Sequence, residues 1–82
     1  MRHILSFAGN PVGLTRPYNY QVIELESLGK VQLWSDWGGD RWDIGHSKEI
    51  PADLSAESVA DIMRDFILER IDSDEYNALL PW

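Results

Sequence analysis

From residue 20 to 26 the chain alternates, with Tyr20, Val22, Glu24 and Glu26 on one side and Gln21, Ile23 and Leu25 on the other. A period of two predicts a half-buried strand, with Ile23 and Leu25 inward. Residues 31–37 alternate again: Val31, Leu33, Ser35 and Trp37 share a face, and Gln32, Trp34 and Asp36 share the other. Leu28-Gly29-Lys30 turns the chain between them. Residues 3–8 read as a first strand, closed by the turn signal Gly9-Asn10-Pro11-Val12-Gly13. Arg16-Pro17 then favours extended or turn backbone. Gly38-Gly39 signals a two-residue hairpin loop, since glycine tolerates the positive φ that such loops require. Residues 40–46 then return as a fourth strand. With Gly38-Gly39 as the whole loop, Trp37 pairs with Asp40 and Ser35 with Trp42. Trp42 then shares the face of Trp37, and Trp34 lies opposite. Residues 47–52 read as a polar connection containing Pro51.

The period changes in the last third. At about 100° per residue, Val59, Ile62, Met63, Phe66, Ile67 and Ile71 fall on one broad helical face. Ser55 suits the N-cap, its hydroxyl accepting from an orphan N–H, with Leu54 and Val59 placed as a hydrophobic staple. The helix breaks at 71–73. Ser73 caps a short second helix with Asp74 and Glu75 in its favourable first turn, Tyr76, Leu79 and Leu80 buried and Pro81 as its stop. The expected fold class is α+β: three or four antiparallel strands, one amphipathic helix packed on them and a short C-terminal helix. At 82 residues the chain is expected to be a single domain. Such a domain buries only about 60–65% of its unfolded surface. Four tryptophans, three tyrosines and two phenylalanines then matter, because each carries large apolar area.

Charge sharpens the picture. Fourteen acids against seven bases give a formal net charge of −7 and a pI near 4.5. That argues against direct binding to nucleic acid or an anionic membrane, which require positive surface. It permits a basic partner. With no cysteine, disulfide and thiolate chemistry are excluded. The N-terminal apolar run is too short for a signal peptide, and no stretch approaches the roughly 20 apolar residues of a membrane span. A cytoplasmic protein is the expectation.

The acids also have a period. Asp53, Glu57, Asp61, Asp65 and Glu69 recur at every fourth position. Residues four apart on a helix rise about 6 Å and turn about 40°, so Glu57, Asp61, Asp65 and Glu69 form one slowly winding row opposite the apolar stripe. Like charges at this spacing cost roughly 0.2–0.5 kcal/mol per pair. One arginine on that side, Arg64, cannot neutralise four acids, and Arg70 points toward the apolar side. The functional reading is a phosphate mimic offered to a groove that grips nucleic acid. Duplex DNA presents a phosphate about every 3.4 Å of axis on each strand, roughly twice the density of one helix row. Mimicry therefore needs a second row, from Glu24 and Glu26 or from Asp36, Asp40 and Asp43. The plain alternative is a solvated helix face. It leaves unexplained why residues 53–82 hold eight acids and two bases.

Other chemistry is thinly represented. WSDWGGDRWDIGH spaces its aspartates unlike an EF-hand and lacks the Gly-Lys-Ser/Thr of a P-loop. It reads as a hairpin whose exposed tryptophan could anchor an interface. His3 and His46 are the two histidines, both expected at the surface or at strand ends, with no metal and no cofactor. No carboxylate pair is distinguished for acid–base work, so the expectation is a non-enzyme.

The small size, acidity, absence of cysteine and carboxylate-studded helix together resemble the phage-encoded inhibitors called anti-CRISPR proteins, some of which mimic DNA. The resemblance is one of style across the whole chain and carries no diagnostic motif. It implies a monomer, acting in the host bacterial cytoplasm without catalysis. Its target would be a CRISPR effector complex, type I and Cascade-like, whose positively charged DNA-binding surface it would occupy. The expected contact comprises Glu57, Asp61, Asp65 and Glu69, with Trp34, Trp37 and Tyr76 as apolar anchors. Two other classes fit the composition: an antitoxin or immunity protein neutralising a basic nuclease or toxin, and a small structural or assembly protein with an exposed apolar patch.

Overall fold

The computed structural model describes residues 1–9, 18–36 and 41–81. Strands β1 (Arg2–Gly9), β2 (Tyr18–Leu25), β3 (Lys30–Asp36) and β4 (Trp42–Glu49) form a sheet in the order β1-β2-β3-β4, each antiparallel to its neighbour. Helices α1 (Ala56–Ile67) and α2 (Ser73–Leu79) follow. This is the α+β architecture that the two periodicities predict. A 3-10 turn over Glu26–Leu28 links β2 to β3 and ends on Gly29 at φ 63°, a left-handed conformation natural to glycine. The Gly29 carbonyl accepts from Ile50 N–H at 3.0 Å, which fastens the end of β4 to this turn. The fourth strand thus runs to Glu49, through residues that read as a polar connection.

The core lies between one sheet face and the helices. Tyr20, Val22, Val31 and Leu33 meet Ala56, Val59, Ala60 and Met63 of α1 and Tyr76 and Leu80 at α2. Val31 and Leu33 share a face as their alternation predicts, and that face is the inward one. In β2 the inward set is Tyr20 and Val22, and Ile23 lies on the opposite face, which corrects the sequence reading. Glu24 made the Tyr20 side look polar. It sits at the end of that row, where Arg2 of the neighbouring strand binds it.

Two bulges reset the alternation. Between β3 and β4, Leu33 pairs with His46 and Trp34 with Ile44, so Gly45 is an extra residue. Beyond it, Asp36 pairs with Trp42 and Ser35 with Asp43. The expected Ser35–Trp42 pairing is therefore one residue out of register, and a one-residue slip moves a side chain to the other face. Trp42 shares a face with Trp34, not the opposite face. Trp37, Gly38-Gly39 and Asp40, on which the two-residue loop was read, lie outside the described residues, as does Trp82. In β1, Ile4 is the extra residue between His3 and Leu5, and both Ile4 and Leu5 pack on the core.

Ser55 caps α1 as expected, its Oγ accepting from Ser58 N–H at 3.1 Å. The far end departs from expectation. α1 stops at Ile67, and Glu69 takes φ 61°. Glu69 N–H bonds the Phe66 carbonyl and Arg70 N–H bonds the Asp65 carbonyl. This is the Schellman arrangement that ends many helices, with glutamate where glycine is usual. Leu68 and Ile67 then lie beside Gly9 of β1, where a Cβ would sit 3.2 Å from Leu68 Cδ2. The cap of α2 is Asp72, not Ser73: its Oδ1 accepts from Glu75 N–H at 2.8 Å. Tyr76 and Leu80 are buried as expected, whereas Leu79 is exposed. Among the described residues no helix is long and apolar enough to cross a membrane.

Candidate functional site

The two layers differ sharply in charge. Residues 53–82, which form the helical layer, hold eight of the fourteen acids and two of the seven bases. That layer therefore carries −6 of the formal −7. Within it, the expected acidic row is not a uniform free array. Arg2 donates from Nη2 to Glu57 Oε1 at 2.6 Å and from Nε to Glu24 Oε1 at 2.9 Å, joining β1, β2 and the start of α1. These bonds to Arg2 hold the Glu57 carboxyl below its ordinary range, and the same two partners raise Arg2. Arg64 approaches Asp61 at 3.3 Å and Asp65 at 3.5 Å, and Arg70 approaches Asp65 at 3.2 Å. Three arginines, rather than one, thus answer Glu57, Asp61 and Asp65. Arg70 is exposed and turned to Asp65, not to the apolar side, because the chain has left the helix before it. Glu69 has left the row for the same reason.

Among the described residues, Asp53, Glu69, Asp72, Asp74 and Glu75 of the helical layer and Glu49 of β4 form no ion pair, and all are exposed. Glu69 lies just past the end of α1, and Asp74 and Glu75 form the first turn of α2, whose N-cap is Asp72. Of the proposed second rows, Glu24 lies beside Glu57 with Arg2 bound to both, Glu26 lies near the N-terminal amine, Asp43 near Arg41, and Asp36 accepts from Asn19 on the other sheet face, while Asp40 lies outside the described residues.

Tyr76 cannot anchor a partner. It is 3% exposed, stacked on Phe66 at 4.2 Å between ring centroids, and its hydroxyl lies 3.1 Å from His46 Nδ1. Burial pushes the phenol up to about 12, so the hydroxyl stays protonated within this hydrogen bond. Burial first, then the nearby Lys48, lowers His46. Sequence reasoning placed His46 at the surface or at a strand end. An isolated glycine inside a strand pattern, Gly45, was the available signal that a bulge would turn His46 inward.

Trp34 lies on the sheet face remote from the helices, so it cannot share one contact surface with the helix acids. There it borders an apolar hollow of about 230 Å³ with Met1, Gln21, Ile23 and Trp42. A second hollow of about 370 Å³ is lined by Ser6, Asn19, Gln21 and Trp42, with Phe7 and Tyr20. Ile44, half exposed, continues the patch on β4. Sequence reasoning missed Ile23 as a partner of Trp34 because Glu24 made the other face of β2 look polar, and Trp42 because its pairing with Asp36 in place of Ser35 reverses its side. Among the described residues no three His, Asp or Glu side chains are grouped to hold a metal.

No curated protein and no solved structure matches the chain. A family model does, over residues 3–82, and its description is the gene 74 protein of Mycobacterium phage L5. The match bears out the phage-encoded part of the resemblance and does not extend to CRISPR inhibition. It spans nearly the whole chain, both acidic helical layer and aromatic sheet face included, and so the chain belongs to the Mycobacterium phage L5 gene 74 protein family.

Proposed function

We propose that this phage protein acts by binding, not catalysis: its acidic helical layer docks on a basic nucleic-acid-binding surface of a host protein and excludes polynucleotide by occupancy. One observation carries the reading, the concentration of −6 of the net charge in residues 53–82 on one side of the sheet. A field of one sign accelerates encounter with a basic cleft and weakens with salt. The contact centres on Glu69, Asp74 and Glu75 rather than on the arginine-paired Glu57, Asp61 and Asp65. The resemblance to phage inhibitors makes a type I CRISPR effector complex the first target to test, and a basic nuclease or toxin the second.

The experiment is a competition assay, with the candidate effector binding labelled target DNA at increasing salt. The full chain lowers DNA binding, and the triple variant Glu69→Gln/Asp74→Asn/Glu75→Gln weakens that effect at least about tenfold with an unchanged circular dichroism spectrum. Inhibition untouched by the triple variant would remove the acidic layer from the mechanism. Capture of a basic toxin in place of the effector would select the antitoxin class. The structural or assembly reading is favoured by a different observation, the uncovered apolar sheet face around Trp34 and Trp42.

A further inference from the structure

Both helices pack on one face of the sheet; on the other, Met1, Trp34 and Trp42 gather about Ile23, which is 9% exposed, and among the described residues no further element lies over them. We infer that this face is a self-association surface, on which a second copy of the chain packs sheet to sheet through Trp34, Trp42 and Ile44. The patch is apolar at its centre, and Ile44 is 51% exposed. The Trp34 indole N–H already donates to Gln32 Oε1 at 3.2 Å. Burying that ring in an interface therefore strands no donor. Charge lies toward the strand ends, where Lys30 sits opposite Glu49 and Asp36 opposite Trp42 in the β3–β4 register.

Electrostatics selects the second copy and its orientation. Helix-to-helix association would set two layers of −6 against each other. Sheet-to-sheet packing spaces the sheets about 10 Å apart and puts a helical layer outside each. The acidic layers are then about 30 Å apart, several times the roughly 8 Å screening length of physiological salt. Size agrees. Four strands about 4.8 Å apart and about seven residues long at 3.3 Å each give a flat footprint of roughly 450 Å². Side-chain relief brings the pair to about 1,000 Å² or a little more, the lower end for a specific interface. An interface at that lower end is one of reversible association. The pair presents two acidic faces pointing away from each other.

Sedimentation equilibrium of the full chain, from about 5 µM to about 1 mM, reads the mass directly. The expected result is a rise from 9.4 kDa toward twice that value. Gln21→Lys on the central strand β2 and Ile44→Lys on β4, both at exposed positions, raise Kd at least about tenfold, with circular dichroism reporting the retained fold. The triple variant of Glu69, Asp74 and Glu75 leaves Kd unchanged, so this inference and the proposed function fail separately. A constant mass of 9.4 kDa overturns the inference. So does a dimer indifferent to Gln21→Lys, which assigns association to a sheet edge.

Discussion

Glu69 is the residue whose backbone and side chain point to different explanations. Its carboxylate completes a period-four row in the sequence, but its φ of 61° takes it out of the helix. A side chain with a Cβ in this region costs roughly 1 kcal/mol relative to glycine. Glu69→Gly is therefore expected to raise stability by about 0.5–1 kcal/mol, read as a higher urea midpoint with unchanged slope. His46 supplies the second prediction at this scale. It packs edge-on to Phe66 and Tyr76, is hydrogen-bonded to the Tyr76 hydroxyl, and has Lys48 as its cationic neighbour, with Lys48 Nζ 5.3 Å from the Tyr76 ring. Its folded pKa is lowered, so below about 6.5 the unfolded chain takes up the proton first. The stability that His46 contributes is complete above that pH and is lost as pH falls below it. Urea midpoints at pH 7.5 and 5.5 check this: the native chain weakens on acidification, and His46→Gln flattens that part of the profile.

At the scale of elements, α2 is only seven residues long, too short to hold a helix alone in water. Its stability comes from Asp72 at its N-cap and from Tyr76 and Leu80, both packed into the core. Leu80→Ala removes a side chain of 0% exposure and is expected to cost about 2–5 kcal/mol, measured by chemical denaturation. A loss below about 1 kcal/mol would mean that α2 undocks without consequence for the core. The bulges at Gly45 and Ile4 act at this scale too. The first lets Ile44 and His46, two residues apart, serve opposite faces, and the second lets the adjacent Ile4 and Leu5 both pack on the core.

Across the whole molecule, the sheet layer is nearly neutral and the helical layer strongly acidic. Reversing Asp61 and Asp65 to lysine moves the formal net charge from −7 to −3. On sequence alone that double variant keeps its fold and loses binding. The structure adds that both lysines would then face Arg64 and Arg70. The variant is expected to lose about 0.5–1.5 kcal/mol of stability, in part recovered at high salt, as thermal melts in low and high sodium chloride would show.

The order of strands and helices was legible in the sequence, because side-chain periods of two and 3.6 are local properties of the backbone. The Ser55 cap, the shared face of Val31 and Leu33, and the apolar stripe of α1 follow from that. The acidic bias of the last third was equally plain. Only the tertiary structure decided which side each strand residue serves, since a bulge or an extra loop residue reverses faces without altering local composition. Trp42 joined Trp34 for that reason, and His46 turned inward. The tertiary structure also decided which acids are answered. Arg2 is 55 residues from Glu57, and no local pattern brings them together; strand pairing and the helix laid across it do.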